Sequence, residues 1–314
     1  MGYNPIIINQ RELLALNSGS QPSLESMKKS GGYFYSYTRY ETAKKILGQS
    51  DELGCFYVSN LESMNDPNET LRHQEERRKV YALCFSNNRE ESIPMWFLYG
   101  GITGEGVRIG FTADKLYKLI EGIETVSGID EKHRIIEGKQ YTRGQDFELH
   151  CGWVYYWQRA DRIRYRDEFY SIASDIEKTA GADRTIDERR SLTDFCKGNY
   201  FVKDYAWYYE KEFRIVFVFK ESVGEQIALH FDKKNLMPGM HVTLAPNVLS
   251  DTERTKPERQ AIIKNYEKEL KMQGRVKPSQ CNVKFNLLGR NSNAIASHIN
   301  AALKAYTSDH KGTG

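Results

Sequence analysis

The chain has 314 residues, 39 % of them hydrophobic and 28 % charged, with 45 Lys and Arg against 42 Asp and Glu for a net charge of +3. Long disorder is not expected of such a composition. A mean hydropathy of -0.64, with no apolar run of ~18 residues, argues against a membrane-spanning helix. The opening MGYNPIIINQRELL lacks the basic leader and long apolar stretch of a signal peptide. Five scattered cysteines without a C-x-x-C pair, and seven scattered histidines, make a disulfide framework or a zinc site unexpected and suit a reduced cytoplasm.

Residues 1–30 read as an N-terminal arm. Tyr33 to Tyr37 is aromatic and strand-like. Thr38 and Glu41 have capping-box spacing for a helix that stops at Gly48. Cys55 to Ser59 is the next strand, and Pro67 in NDPNE is placed to open a helix ending in EERRK. Val80 to Phe85 reads as a buried strand, and Pro94 opens a short helix carrying Met95, Trp96 and Tyr99. In GVRIGF the alternation of Val107, Ile109 and Phe111 predicts a half-buried strand. Residues 113–200 read as a mostly helical insertion, interrupted by CGWVYYW. Phe213 to Lys220 and Met240 to Pro246 are strands, and 251–273 is a charged helix. QCNVKFNLL is expected as a last strand, and 291–314 as a C-terminal helix and tail. Short strands mixed with helices, without a βαβ rhythm, predict an α+β fold over 31–290.

Four constellations bear chemistry. In a strand, Glu210, Glu212 and Arg214 share one face, opposite Phe213, Ile215, Phe217 and Phe219. Adjacent carboxylates repel, so they must be solvated, matched by cations or used. A solvated strand start neutralised by Arg214 explains the same residues. Met95, Trp96 and Tyr99 form an aromatic plug or, for Tyr99 beside Gly100 and Gly101, a face for a planar ring. Arg39, after the first strand, is either a surface arginine or an anion contact. WQRADRIRYR puts Arg159, Arg162, Arg164 and Arg166 among aromatics, as along a nucleic-acid backbone or on a charged helix face. GEGVRIG is one residue too long for the dinucleotide fingerprint and leads into a strand instead of following one.

In order, the aromatic first strand, N-D-P-N-E, C-F-S, M-W-x-x-Y, G-V-x-I-G-F and E-x-E-x-R resemble a large prokaryotic family of a domain of unknown function. That family in turn resembles a divergent branch of the ADP-ribosyltransferase fold. The resemblance implies a split, mainly antiparallel β core that takes NAD as substrate in an extended cleft, without a metal. It implies that Glu212 is the transferase glutamate and Glu210 its companion. Arg39 or Tyr35 would hold the adenosine or pyrophosphate side, and Tyr99 with Trp96 would border the nicotinamide. The usual Ser-Thr-Ser motif is absent. A cytoplasmic toxin or antiviral defence effector is implied, with a macromolecular acceptor and room for an antitoxin or inhibitory protein. The basic charge and the arginine–aromatic run favour RNA or DNA over protein as acceptor. The rival expectations are a non-enzymatic nucleic-acid-binding module and a hydrolase with paired acids; side-by-side strand spacing suits the latter poorly.

Overall fold

Alternation of aromatic and aliphatic residues builds the strands of this protein, and a computed structural model describes residues 27–29, 31–64, 77–100, 105–157, 199–249 and 255–281. In chain order the elements are β1 (Tyr33–Arg39), α1 (Tyr40–Leu47), β2 (Leu53–Ser59), β3 (Val80–Ser86), α2 (Ile93–Tyr99), β4 (Gly106–Thr112), α3 (Ala113–Glu121), β5 (Thr125–Ile129) and β6 (Ile135–Thr142). There follow β7 (Phe147–Trp153), β8 (Tyr155–Trp157), β9 (Val202–Asp204), β10 (Glu212–Phe219), β11 (Gln226–Asp232), α4 (Lys233–Leu236), β12 (Met240–Leu244), α5 (Lys256–Glu269) and β13 (Val276–Lys277). No helix among the described residues is long and apolar enough to cross a membrane.

The architecture is α+β. A seven-stranded sheet runs β13-β12-β4-β1-β3-β10-β7, a four-stranded sheet runs β2-β11-β5-β6, and β8 pairs with β9. The pairings are antiparallel except β12–β13 and β8–β9. In β10, Phe213, Ile215, Phe217 and Phe219 all point into the core, as their period of two predicts. That core lies between the two large sheets. Phe56 of β2 has ring centroids 6.0 Å from Phe85 and 6.0 Å from Phe111, and 5.0 Å from Phe231. Each fully buried side chain of this size contributes roughly 1.5–3 kcal/mol. Lys233 is buried with its Nζ donating to the carbonyls of Leu47 (2.6 Å), Ser50 (3.2 Å) and Leu270 (3.1 Å), so one cation caps the ends of α1 and α5.

Several expectations are corrected. The first helix starts after Arg39, which occupies the N-cap without a side-chain cap bond, so Thr38 and Glu41 form no capping box. All seven residues of β1 pair with β4, Tyr33 with Thr112 through Arg39 with Gly106, and this ladder draws Thr38 and Arg39 into the strand. The stretch from 113 to 157 is not mostly helical. After α3 it forms β5, β6, β7 and β8, because β7 finds a full ladder on β10 and β5 pairs with β6. QIALHFD, assigned no element from the sequence, is β11, held between β2 and β5. The capping box belongs instead to α5, where Thr255 and Glu258 satisfy each other's backbone. Of the N-terminal arm only Met27–Lys29 is described, and Met27 is buried in the core. The helix opened by Pro67, the last strand beyond Cys281 and the C-terminal helix lie outside the described residues.

Candidate functional site

β1 and β3 are neighbours in the large sheet, yet they pair only at Tyr35 and Ser86. Beyond that point they diverge and open a cleft of about 340 Å³. Tyr35, Ser36, Tyr37 and Thr38 form one wall, and Ala82 to Ser86 the other. Met95 and Tyr99 of α2 border it, and Lys203, Glu210 and Glu212 close one end.

The closed end is a dense polar cluster. Glu212 opens β10, and both of its oxygens face the Arg214 fork, with Nε to Oε1 at 2.7 Å and Nη2 to Oε2 at 3.1 Å. Alternation alone predicted that Glu210 shares their strand, and it does not. It ends a 3-10 turn (Tyr205–Glu210), and Lys211 then takes a left-handed φ of 44° before β10 begins. That single residue swings Glu210 back to the same cluster. Lys203 of β9 bridges the carboxylates, its Nζ 2.5 Å from Glu210 Oε2 and 3.1 Å from Glu212 Oε2. Tyr99 Oη donates to Glu210 Oε1 at 2.6 Å. Behind them, the Glu212 N–H donates to Tyr156 Oη at 2.9 Å, and Arg214 Nη1 to the Tyr200 carbonyl at 2.8 Å.

Glu210 and Glu212 are 2 % and 3 % exposed, so these carboxylates are matched by cations and not by solvent. Their environments differ. Burial pushes Glu210 up to about 7, against the pull of Lys203 and with the repulsion of Glu212. Burial also opposes ionisation of Glu212, but Arg214 and Lys203 together overcome it and hold this carboxyl well below the usual range. Burial, then the Glu210 charge, raises the Tyr99 hydroxyl, which stays a donor. One end of the cleft thus holds a permanently ionised carboxylate and a second whose proton moves near neutrality, a division typical of working acid–base sites.

Residues 95–215 match a family model described as "Protein of unknown function (DUF2971)". No curated protein and no solved structure matches the chain. The matched segment begins on α2 and ends in β10, so it encloses M-W-x-x-Y and E-x-E-x-R, and with them Tyr99, Lys203, Glu210, Glu212 and Arg214.

The structure brings Tyr35, Tyr99, Glu210 and Glu212 to this cleft and leaves other candidates out. Trp96 is buried behind it, its ring edge-on to Tyr37 at 4.8 Å and its Nε1 donating to Glu91 at 3.1 Å. It therefore supports the wall and does not line it. Arg39 is exposed at the far end of β1 and does not line the cleft either. Its place in the ladder sets it beyond Tyr37 on the way to α1. Arg159, Arg162, Arg164 and Arg166 lie outside the described residues. Sequence reasoning missed Lys203. Charge arithmetic held a clue: two carboxylates with one arginine leave a negative charge unmatched, and Lys203 is the lysine embedded in the aromatic run NYFVKDYAWYY.

Proposed function

We propose that this protein is an NAD-dependent ADP-ribosyltransferase that modifies a macromolecular acceptor, nucleic acid before protein. The observation that carries this reading is the pair of unlike carboxylates at one end of a cleft opened through an antiparallel sheet. The cleft volume of about 340 Å³ lies at the small end of ligand pockets, a size for the nicotinamide riboside half with the rest of the dinucleotide extending beyond. Tyr35, Tyr37 and Tyr99 line the cleft with aromatic surface for a planar leaving group.

In the proposed reaction the C–N bond between nicotinamide and the ribose anomeric carbon breaks, and neutral nicotinamide departs. Positive charge develops on the sugar. Glu212, ionised and locked by Arg214, supplies the fixed negative charge that steadies it in a water-poor site. The acceptor nucleophile bonds to the anomeric carbon and yields its proton to Glu210, whose proton affinity suits a base near neutral pH. Lys203 and Tyr99 hold Glu210 in place and yield their contacts to the sugar hydroxyls as substrate enters. The role of a toxin or defence effector, and an inhibitory partner for it, belong to the same proposal and rest on the family resemblance.

The test is incubation of the purified chain with labelled NAD and, separately, total RNA, DNA and protein. Transfer of label is expected, and Glu212→Gln is expected to reduce it by about 10²–10³-fold. Because that change leaves Arg214 partly unmatched in the interior, circular dichroism must show a folded variant. Tyr99→Phe, which preserves the packing, serves as the second probe. A wild-type protein that neither binds nor consumes NAD with any acceptor ends the proposal. Salt-dependent nucleic-acid binding unaffected by Glu212→Gln, without turnover, selects a binding module instead.

A further inference from the structure

The face of the large sheet that carries Glu212 has a second polar region near its other edge. Strand register places His241, Gly110, Tyr35, Ser86 and Glu212 in one row of directly paired neighbours. The next row holds Lys277, Thr243, Arg108 and Tyr37. Arg108 is 5 % exposed. Its guanidinium carbon lies 3.9 Å from the centre of the Tyr35 ring. Among the described residues its one side-chain hydrogen bond is from Nη1 to Tyr37 Oη, at 3.4 Å, and its Nε is buried without a partner. No carboxylate among the described residues forms an ion pair with it.

A buried guanidinium with an unused N–H and no counter-charge is costly unless something anionic meets it. Its surroundings add positive charge. Lys277 stands exposed on β13, and after burial itself the charges of Lys277 and Arg108 both disfavour protonation of His241. Glu91, whose charge acts on Tyr37, is already engaged by Trp96 Nε1, the Ser279 hydroxyl and the Gln280 N–H. Gly110 leaves the space that the rings of His241 and Tyr35 occupy, since a Cβ there would lie 2.6 Å from His241 Cε1 and 2.9 Å from Tyr35 Cε1. The result is a fork donor, an imidazole and an ammonium on one sheet face, backed by a tyrosine ring.

We propose that Arg108, His241 and Lys277 form an oxyanion site for a phosphate or pyrophosphate group, three to five strands along the sheet from Glu212. Guanidinium recognises such groups by paired N–H donors, and a lysine adds a point charge. The site rests on this geometry alone and does not require the proposed transfer reaction. Arg108 was not singled out from the sequence, because the alternation in GVRIGF made it the outward residue of a half-buried strand.

The probe is inorganic pyrophosphate, titrated into the full chain by calorimetry, with imidazole NMR of His241 read in parallel. Binding in the millimolar range or tighter is expected, weakened about tenfold or more by Arg108→Met. The imidazole, held at about 4 by burial and by the two cations, is expected to titrate at higher pH in saturating pyrophosphate. Should Arg108→Met fail to fold, Lys277→Met, a change on the surface, is expected to weaken binding in the same direction. Wild-type protein that shows no binding at about 10 mM pyrophosphate, an unmoved His241, or unchanged affinity in folded Arg108→Met overturns the site. Addition of NAD separates the sources of phosphate. Competition assigns the site to the ligand of the cleft, and simultaneous binding assigns it to a second phosphorylated ligand; both uphold it.

Discussion

Glu210 is the residue on which chemistry and stability meet. Its carboxyl is displaced from an ordinary 4.5 to about 7 chiefly by burial, so the folded state holds a proton that the unfolded chain has lost. Its contribution to stability is therefore complete below about pH 4.5 and disappears as pH rises through about 7, a change on the order of 3 kcal/mol. Glu210→Gln keeps the neutral shape without the charge. Urea denaturation should find this variant gaining stability relative to wild type between pH 5 and pH 8, and a constant difference across that range would remove the assignment. In the transfer assay the same titration runs the other way. Activity of the wild type should climb as Glu210 loses its proton, with half its plateau near pH 7, and Glu210→Gln should lack that limb. Glu212 is expected to show no such dependence in this range, since Arg214 and Lys203 keep it ionised.

At the scale of elements, the site depends on a one-residue irregularity. The 3-10 turn that carries Glu210 joins β10 through Lys211 at a φ of 44°, a conformation tolerated by glycine and resisted by branched side chains. Lys211→Gly should leave stability and ligand binding close to wild type. Lys211→Val should cost about 1–2 kcal/mol in a thermal or urea melt and should impair any function of the cleft if the chain relaxes by turning Glu210 away from Lys203. Equal melting of the two variants would mean that the turn does not hold the carboxylate in place. The same reasoning explains why β9, three residues long, matters beyond its size: its pairing with β8 sets Lys203 between the acids.

Over the whole molecule, the cleft exists because two sheets share one core while two strands within the larger sheet part company. Phe56 stands where these facts meet. It packs between the sheets against Phe85, Phe111 and Phe231 and also lines the cleft. Phe56→Ala should destabilise the protein by about 3–5 kcal/mol in urea unfolding, with the cavity opening into the cleft wall. A loss below about 1 kcal/mol would show that the sheets do not depend on each other through this ring.

The α+β class, the strands at Val80–Ser86, Gly106–Thr112 and Glu212–Phe219, and the inward row of β10 were all legible in the sequence. Hydrophobic periodicity is a local property, and these segments bury one face or both by their own pattern. The carboxylates and Tyr99 were legible for a similar reason, because closely spaced like charges and aromatic punctuation stand out along the chain. The tertiary structure alone decided which of these meet. Thr38 entered a strand because β4 offered it a partner, β11 formed between two strands remote in sequence, and Lys203 reached the acids through a parallel pair. Trp96 and Arg39 dropped out of the cleft, and Arg108 came to lie against the Tyr35 ring of the neighbouring strand. Pairing across a sheet joins residues by register and not by distance along the chain, and register is settled only when both faces of the sheet have been buried together.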